Sequence, residues 1–172
     1  MTGNSQKGFT IVELIVAVFV FSSVSVIASG VFVSAVKLNR KALNIQRADE
    51  NTRNILEMIS REVRVANTID GSDTSCPVSS AANLSFNHPV NGRIRYFLSS
   101  NQIHREVDGR DSIVSSSNIR VTDLKFCLKG LTAGDQKQAR VTVQMTLESG
   151  QGNEMITSRA QTTLSQRRII DD

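Results

Sequence analysis

Apolar and polar positions divide the chain into three regimes. From Ile11 to Val36 the filling is Val, Ile, Leu, Phe, Ala, Gly and Ser, and the single ionisable side chain is Glu13. About 20 such residues cross the hydrocarbon core of a bilayer. Fifteen Val, Ile, Leu or Phe fall between Ile11 and Val33. At about −0.3 to −0.6 kcal/mol each they favour insertion by roughly 5 to 9 kcal/mol, against about 3 kcal/mol for one central acid. β-Branched residues weaken a helix in water, but in lipid the backbone has no other way to satisfy its N–H and C=O groups. The pattern therefore predicts a transmembrane helix over residues 9–36.

After Val36 the chain turns polar, with no Pro or Gly before Gly71. Leu38, Ala42, Ile45, Ala48, Thr52, Ile55, Leu56, Ile59, Val63 and Ala66 recur at helical spacing, opposite a face with Lys41, Arg47, Glu50, Arg53, Glu57, Arg61 and Arg64. Residues 37–68 are thus expected to continue the same helix, giving a rod of about 90 Å from Phe9 to Asn67. Its apolar stripe needs a partner, either a coiled-coil mate or a sheet. Asp70-Gly71-Ser72-Asp73 reads as the stop signal, and 69–82 as a polar loop.

The period then changes from helical to alternating. "ARVTVQMTLE" alternates without a fault from Ala139 to Glu148, the mark of a half-buried strand. Residues 92–107 read as a hairpin, with Ile94, Tyr96 and Leu98 joined by Ile103 and Val107 across a turn at Ser99 to Asn101. Asn83 to Asn87, Ile119 to Leu128 and Met155 to Leu164 complete an antiparallel sheet domain over 83–168, with 169–172 as a tail. One apolar sheet face and one apolar helix stripe make a two-layer α+β domain.

Lys7 before an apolar run also suits a secretory signal peptide, but those regions run about 7 to 15 residues and end at a small-residue cleavage site. This run is longer, and no Ala-x-Ala follows. A carboxylate inside a membrane segment marks function by default. Gly8-Phe9-Thr10, then Glu13, then an unbroken apolar segment resembles the amino terminus of type IV pilins and the pseudopilins of type II secretion systems. The resemblance implies cleavage by a prepilin peptidase between Gly8 and Phe9, N-methylation of Phe9, and residues 1–8 as a cytoplasmic leader. It also implies that Glu13 pairs with the terminal amine of a neighbouring subunit during assembly. The implied fold is pilin-like: a long N-terminal helix, membrane-spanning in its first half, packed by its second half on an antiparallel β-sheet. Implied partners are the peptidase, other pilin or pseudopilin subunits through their N-terminal helices, an inner-membrane assembly platform and the lipid bilayer. The implied location is the cytoplasmic membrane, single-pass with the C-terminal domain outside, and then the filament.

Two departures from the family pattern refine this. Ile11 stands where leucine or threonine is commoner, and no proline interrupts the membrane helix, whereas Gly30 lies where major pilins usually carry one. The missing proline favours a minor pilin or minor pseudopilin. "LEMISREVRVA", "VTDLKF" and the pattern of Ile94, Tyr96 and Arg105 also resemble minor subunits. Glu13 argues against the tip-located type that lacks the glutamate. Lys37, Arg40 and Lys41 beyond the span outnumber Lys7 before it, which on the positive-inside rule alone favours the reverse orientation; the motif is preferred over the count.

Catalytic signals are missing from the sequence. His88 and His104 sit in no metal-ligand or triad spacing, no Ser lies in a Gly-x-Ser-x-Gly context, and no glycine-rich phosphate loop is present. Asp70 with Asp73, or Asp108 with Asp111, would suit calcium, yet helix ends and turns use Asp and Gly anyway. The expectation is a non-enzymatic subunit with no cofactor and no metal. Cys76 and Cys127 either form a disulfide or stay as two thiols; a bridge is favoured by an oxidising compartment. Lys plus Arg number 20 against 16 Asp plus Glu, and Arg93, Arg95, Arg105, Arg110 and Arg120 crowd the first expected strands. A single-span membrane-anchored extracytoplasmic domain that binds a ligand or captures DNA is therefore the alternative function; the DNA version is supported less well because one Tyr and no Trp leave little to stack on bases.

Overall fold

The structure is a computed structural model that describes residues 8–76, 79–132 and 137–167. The leader before Gly8 and the 169–172 tail lie outside the described residues. The chain divides after Arg40 into two units, taken in turn below.

In the first unit the chain is helical from Ile11 onward. Helix α1 (Ile11–Val65) begins here, and its most apolar 18-residue window has a mean hydropathy of 2.5 with none of it buried. Phe9, Ile11, Phe19, Phe21 and Phe32 all stand exposed. Four of the five serine hydroxyls inside this run are covered by the helix itself: Ser22 donates to the Val18 carbonyl at 2.7 Å, Ser23 to Phe19 at 2.9 Å, Ser29 to Ser25 at 2.8 Å and Ser34 to Gly30 at 3.0 Å. In hydrocarbon that removes most of the cost of the hydroxyls. Gly30 does not interrupt the helix.

In the second unit the rest of α1 lies against strands β1 (Thr68–Ile69), β2 (Asn83–His88), β3 (Gly92–Ser99), β4 (Gln102–Val107), β5 (Arg110–Ile113), β6 (Ile119–Lys129), β7 (Arg140–Ser149) and β8 (Ile156–Ser165). They form two antiparallel sheets where the sequence suggested one: five strands in the order β1 to β5, and three in the order β6-β7-β8. The sheets are stitched where Val121 N–H donates to the Asn101 carbonyl at 2.8 Å and the Asn101 amide donates to the Val121 carbonyl at 3.1 Å. Asn101 sits with Ser100 at positive φ, 62° and 50°, in the two-residue turn that matches strand twist. Beside the stitch a bulge between Val121 and Asp123 shifts the register. Ile119 and Val121 face the core before it and Leu124, Phe126 and Leu128 after it, a one-residue phase change that the bulge makes possible.

The core joins both sheets to one stripe of α1. Ala48, Ile55, Ile59 and Val63 are buried with Leu84, Phe86, Ile94, Tyr96, Ile103, Phe126, Val141, Val143 and Leu147. Each buried Ile or Val stabilises the fold by about 1.5–3 kcal/mol. The stripe differs from the expected one at its start: Leu38, Ala42 and Ile45 are exposed, and Asn44 is buried. The reason is the turn after β7. Asn44 donates its amide to the Glu154 carbonyl at 3.1 Å, a bond no apolar side chain makes. Gly150, at φ +91°, lies so close that an added Cβ would meet the Asn44 amide nitrogen at 2.4 Å.

Helix α1 ends at Val65, ahead of the Asp70–Asp73 signal. Asn67 N–H donates to the Asn87 carbonyl at 2.8 Å, drawing the chain into β1. The carbonyls at and just past the helix end are covered from the far end of the chain: Arg167 N–H donates to Arg64 at 3.0 Å, and the buried Gln166 amide to Ala66 at 2.6 Å and Asn67 at 3.1 Å. The expected polar loop also pairs with the sheet. Thr74 N–H donates to the Leu128 carbonyl at 2.9 Å, its hydroxyl accepts Leu128 N–H at 2.9 Å, and Ala81 bridges Phe126.

Candidate assembly site at the start of the helix

Helix α1 starts where its capping chemistry starts. Thr10 precedes the first helical residue, its hydroxyl accepts the Glu13 backbone N–H at 3.3 Å, and its carbonyl accepts Leu14 N–H at 3.1 Å. Thr10 and Glu13 therefore occupy the first and fourth positions of a capping box. The Glu13 carboxylate, in the first turn, also sits at the positive end of the helix dipole. One structural task for Glu13 is thus local. It does not account for the surroundings, because the side chains of Phe9, Ile11, Val12 and Leu14 around it are all exposed. Gly8 has open space where a Cβ would stand, so sterics within the described residues do not require glycine there.

Cys76 and Cys127 are joined by a disulfide, Cα to Cα 5.9 Å across 51 residues. Cys127 lies on the half-buried face of β6, away from Leu124, Phe126 and Leu128, and the bridge holds the 70–76 segment beside β6, where Thr74 also bonds Leu128.

The arginine group expected on the first strands is not one surface. Arg105 points inward between Ile103 and Val107, where it meets Glu62 of α1: Nη2 to Oε1 is 2.5 Å and Nε to Oε1 is 3.1 Å. Tyr96, fully buried, donates its phenol to the other oxygen of Glu62 at 2.5 Å. Burial and then the Glu62 carboxylate hold that phenol far above its ordinary pKa, and the same carboxylate raises Arg105. Arg93 pairs with Asp70 at 3.0 Å and Arg95 with Glu106 at 2.6 Å. Arg110 and Arg120 remain exposed. The Glu62 cluster went unread in the sequence, although a charged residue at an inward strand position, Arg105, was a visible signal.

The remaining polar candidates have protein partners. His88 Nδ1 accepts N–H groups from Val90 and Asn91 at 3.2 and 3.1 Å, shaping a turn. His104 Nδ1 lies 2.7 Å from Asp111. Asp108 accepts Arg93 N–H at 2.9 Å, and Asp73 accepts Leu131 N–H at 2.8 Å, which with nearby Lys129 and Lys137 lowers its pKa. No group of three or more metal-ligating side chains occurs among the described residues.

Comparison with curated proteins and with solved structures gives no match. Residues 3–29 match the family described as the prokaryotic N-terminal methylation motif, a stretch that takes in Gly8, Phe9, Thr10, Glu13 and the apolar start of α1. The chain therefore carries the N-terminal methylation motif typical of type IV pilins and pseudopilins, on a long helix followed by antiparallel sheets in a pilin-like α+β fold.

Proposed function

We propose that the chain is a minor pilin or pseudopilin, processed between Gly8 and Phe9 and guided into its filament by Glu13. The observation that carries this reading is the motif at residues 3–29 heading a helix whose apolar side chains from Ile11 to Val33 are all exposed and whose single ionisable group from Ile11 to Val36 is Glu13. Cleavage makes the Phe9 amine a cation. Glu13 follows four residues later, about 6 Å along a helix axis. An uncompensated carboxylate in hydrocarbon is expensive and a paired one much less so. A neighbouring subunit's terminal amine neutralises it, and the pair sets the axial register in which one helix packs on the next. The open space at Gly8 supports a requirement imposed from outside the fold, by the peptidase. The absence of proline from the membrane segment supports the minor subtype, priming or capping a filament through the inner-membrane platform.

Co-expression with a prepilin peptidase tests the reading. The mature chain is expected to begin at Phe9, eight residues shorter than the 172-residue precursor, with a methylated amine by mass spectrometry. An anchored binding domain outside this family would keep Met1, and that result refutes the proposal.

A further inference from the structure

Away from the helix start, basic side chains gather where β8 ends beside the last turns of α1. Arg61, Arg64 and Arg167 line an open groove with Gln138, Thr163 and Ser165. On the outward side Lys129 and Arg140 are cross-strand partners, and Arg140 is in turn paired with Ser165 of the groove. All three are exposed. Like charges placed opposite each other destabilise a sheet, so packing does not explain Lys129 beside Arg140.

Helix capping does not explain the arginines either. At the end of α1 the Arg64 carbonyl already takes the Arg167 backbone N–H, and the Ala66 and Asn67 carbonyls just past it take the Gln166 amide. Arg61 reaches Glu57, and Asp73 lies near Lys129. Arg64, Arg140 and Arg167 make no side-chain ion pair among the described residues.

We infer that this surface docks the phosphodiester backbone of duplex nucleic acid. A track running from Lys129 through Arg140 to the groove spans at least two strand spacings, about 10 Å, which suits a polyanion better than one small anion. Guanidinium forks match phosphate oxygens, and the hydroxyls of Thr163 and Ser165 and the Gln138 amide are the neutral groups that commonly add phosphate contacts. Among the described residues no aromatic side chain lines the groove, so stacking on the bases of a single strand has no platform there. Among the described residues its apolar wall is Val65 and the buried Leu164, neither of them an aromatic or arginine anchor of the kind that dominates protein interfaces. This surface does not include Arg93 or Arg95, which have acid partners, and the inference stands whether or not the chain is a filament subunit.

Anisotropy of a labelled duplex of about 30 base pairs, titrated with the full-length chain in uncharged detergent micelles, reads the interaction through its salt dependence. With about four phosphates contacted, affinity is expected to fall roughly 100-fold between about 50 and 200 mM salt. Combining Arg64→Ala with Arg167→Ala should lower the slope of log affinity against log salt by about two, and Arg140→Gln, on the other side of β8, by about one. Arg93→Ala should change neither slope nor affinity. Three results overturn the inference: no binding at the lowest salt, losses with Arg93→Ala that equal those at the groove, or polyglutamate displacing the duplex as well as unlabelled duplex does.

Discussion

Tyr96 is the single tyrosine of the chain, and it is fully buried with its hydroxyl on Glu62. Its phenol is held well above its ordinary value, first by burial and then by the carboxylate it donates to. A folded-state pKa raised above the unfolded one contributes stability that is complete below the unfolded pKa and is lost as pH rises past it. For tyrosine the unfolded pKa is about 10, so the wild-type fold should lose about 0.4 kcal/mol by pH 10 and about 1.4 kcal/mol by pH 11 from this group alone. Lysines also titrate in this range, and Tyr96→Phe separates them. Near neutral pH the variant should be less stable by about 1.5–3 kcal/mol, the worth of a buried bond to a charged acceptor. With rising pH the two curves should converge. Urea unfolding of the full-length chain in micelles, followed by circular dichroism, measures both, while tyrosinate absorbance reports when the native phenol ionises. Parallel stability curves, or a native tyrosine that ionises near pH 10, would refute the reasoning. Removing the cation instead, by Arg105→Met, leaves Glu62 half-covered with one partner. Buried pairs broken on one side cost about 3–5 kcal/mol; with both side chains slightly solvent-accessible, about 2–3 kcal/mol is expected here.

Three further outcomes are expected. Glu13→Ala should insert into the membrane as wild type does but be recovered in filaments at a small fraction of the wild-type level, and undiminished incorporation by immunoblot would remove the assembly role. Gly150→Ala puts a Cβ against the Asn44 amide at positive φ and should lower stability by about 2–3 kcal/mol in the same urea assay. Unreduced protein treated with an alkylating agent should show neither Cys76 nor Cys127 modified, and replacing both by serine should cost at most about 4 kcal/mol, the chain-entropy value for closing a loop of this length.

What was legible in the sequence was periodic. The apolar run before Val36, the stripe through Ile55, Ile59 and Val63, and the alternation of β7 are repeated signals that one unusual residue does not erase. The misses come from single contacts between distant segments. Asn44 replaces Ile45 on the buried face because one carbonyl, on Glu154, meets it. The helix stops early because β2 offers Asn67 a partner, and its end is capped by Gln166, a hundred residues later. Strand β5 had a local cue, Asp108-Gly109 in the left-handed region, the composition of a tight hairpin turn. Its four residues are all exposed, so no apolar pattern announced it. At the candidate site the motif was fully legible, since spacing along one helix turn needs no tertiary information; the arginines were misgrouped because ion pairs with Glu62, Asp70 and Glu106 depend on which strands lie side by side.

Among the described residues strand β8 ends its sheet, paired with β7 alone. Gln166 N–H turns toward Ala139, so by the alternation of antiparallel bonding the amides of Thr157, Arg159, Gln161 and Thr163 point outward. Over its ten residues this border has no proline, no bulge and one charge, Arg159, whereas the corresponding flank of β6 is sealed by Thr74 and Ala81. Such a rim is a template for foreign strands, which makes Arg159 the gatekeeper against fibrillar self-association when the protein is crowded.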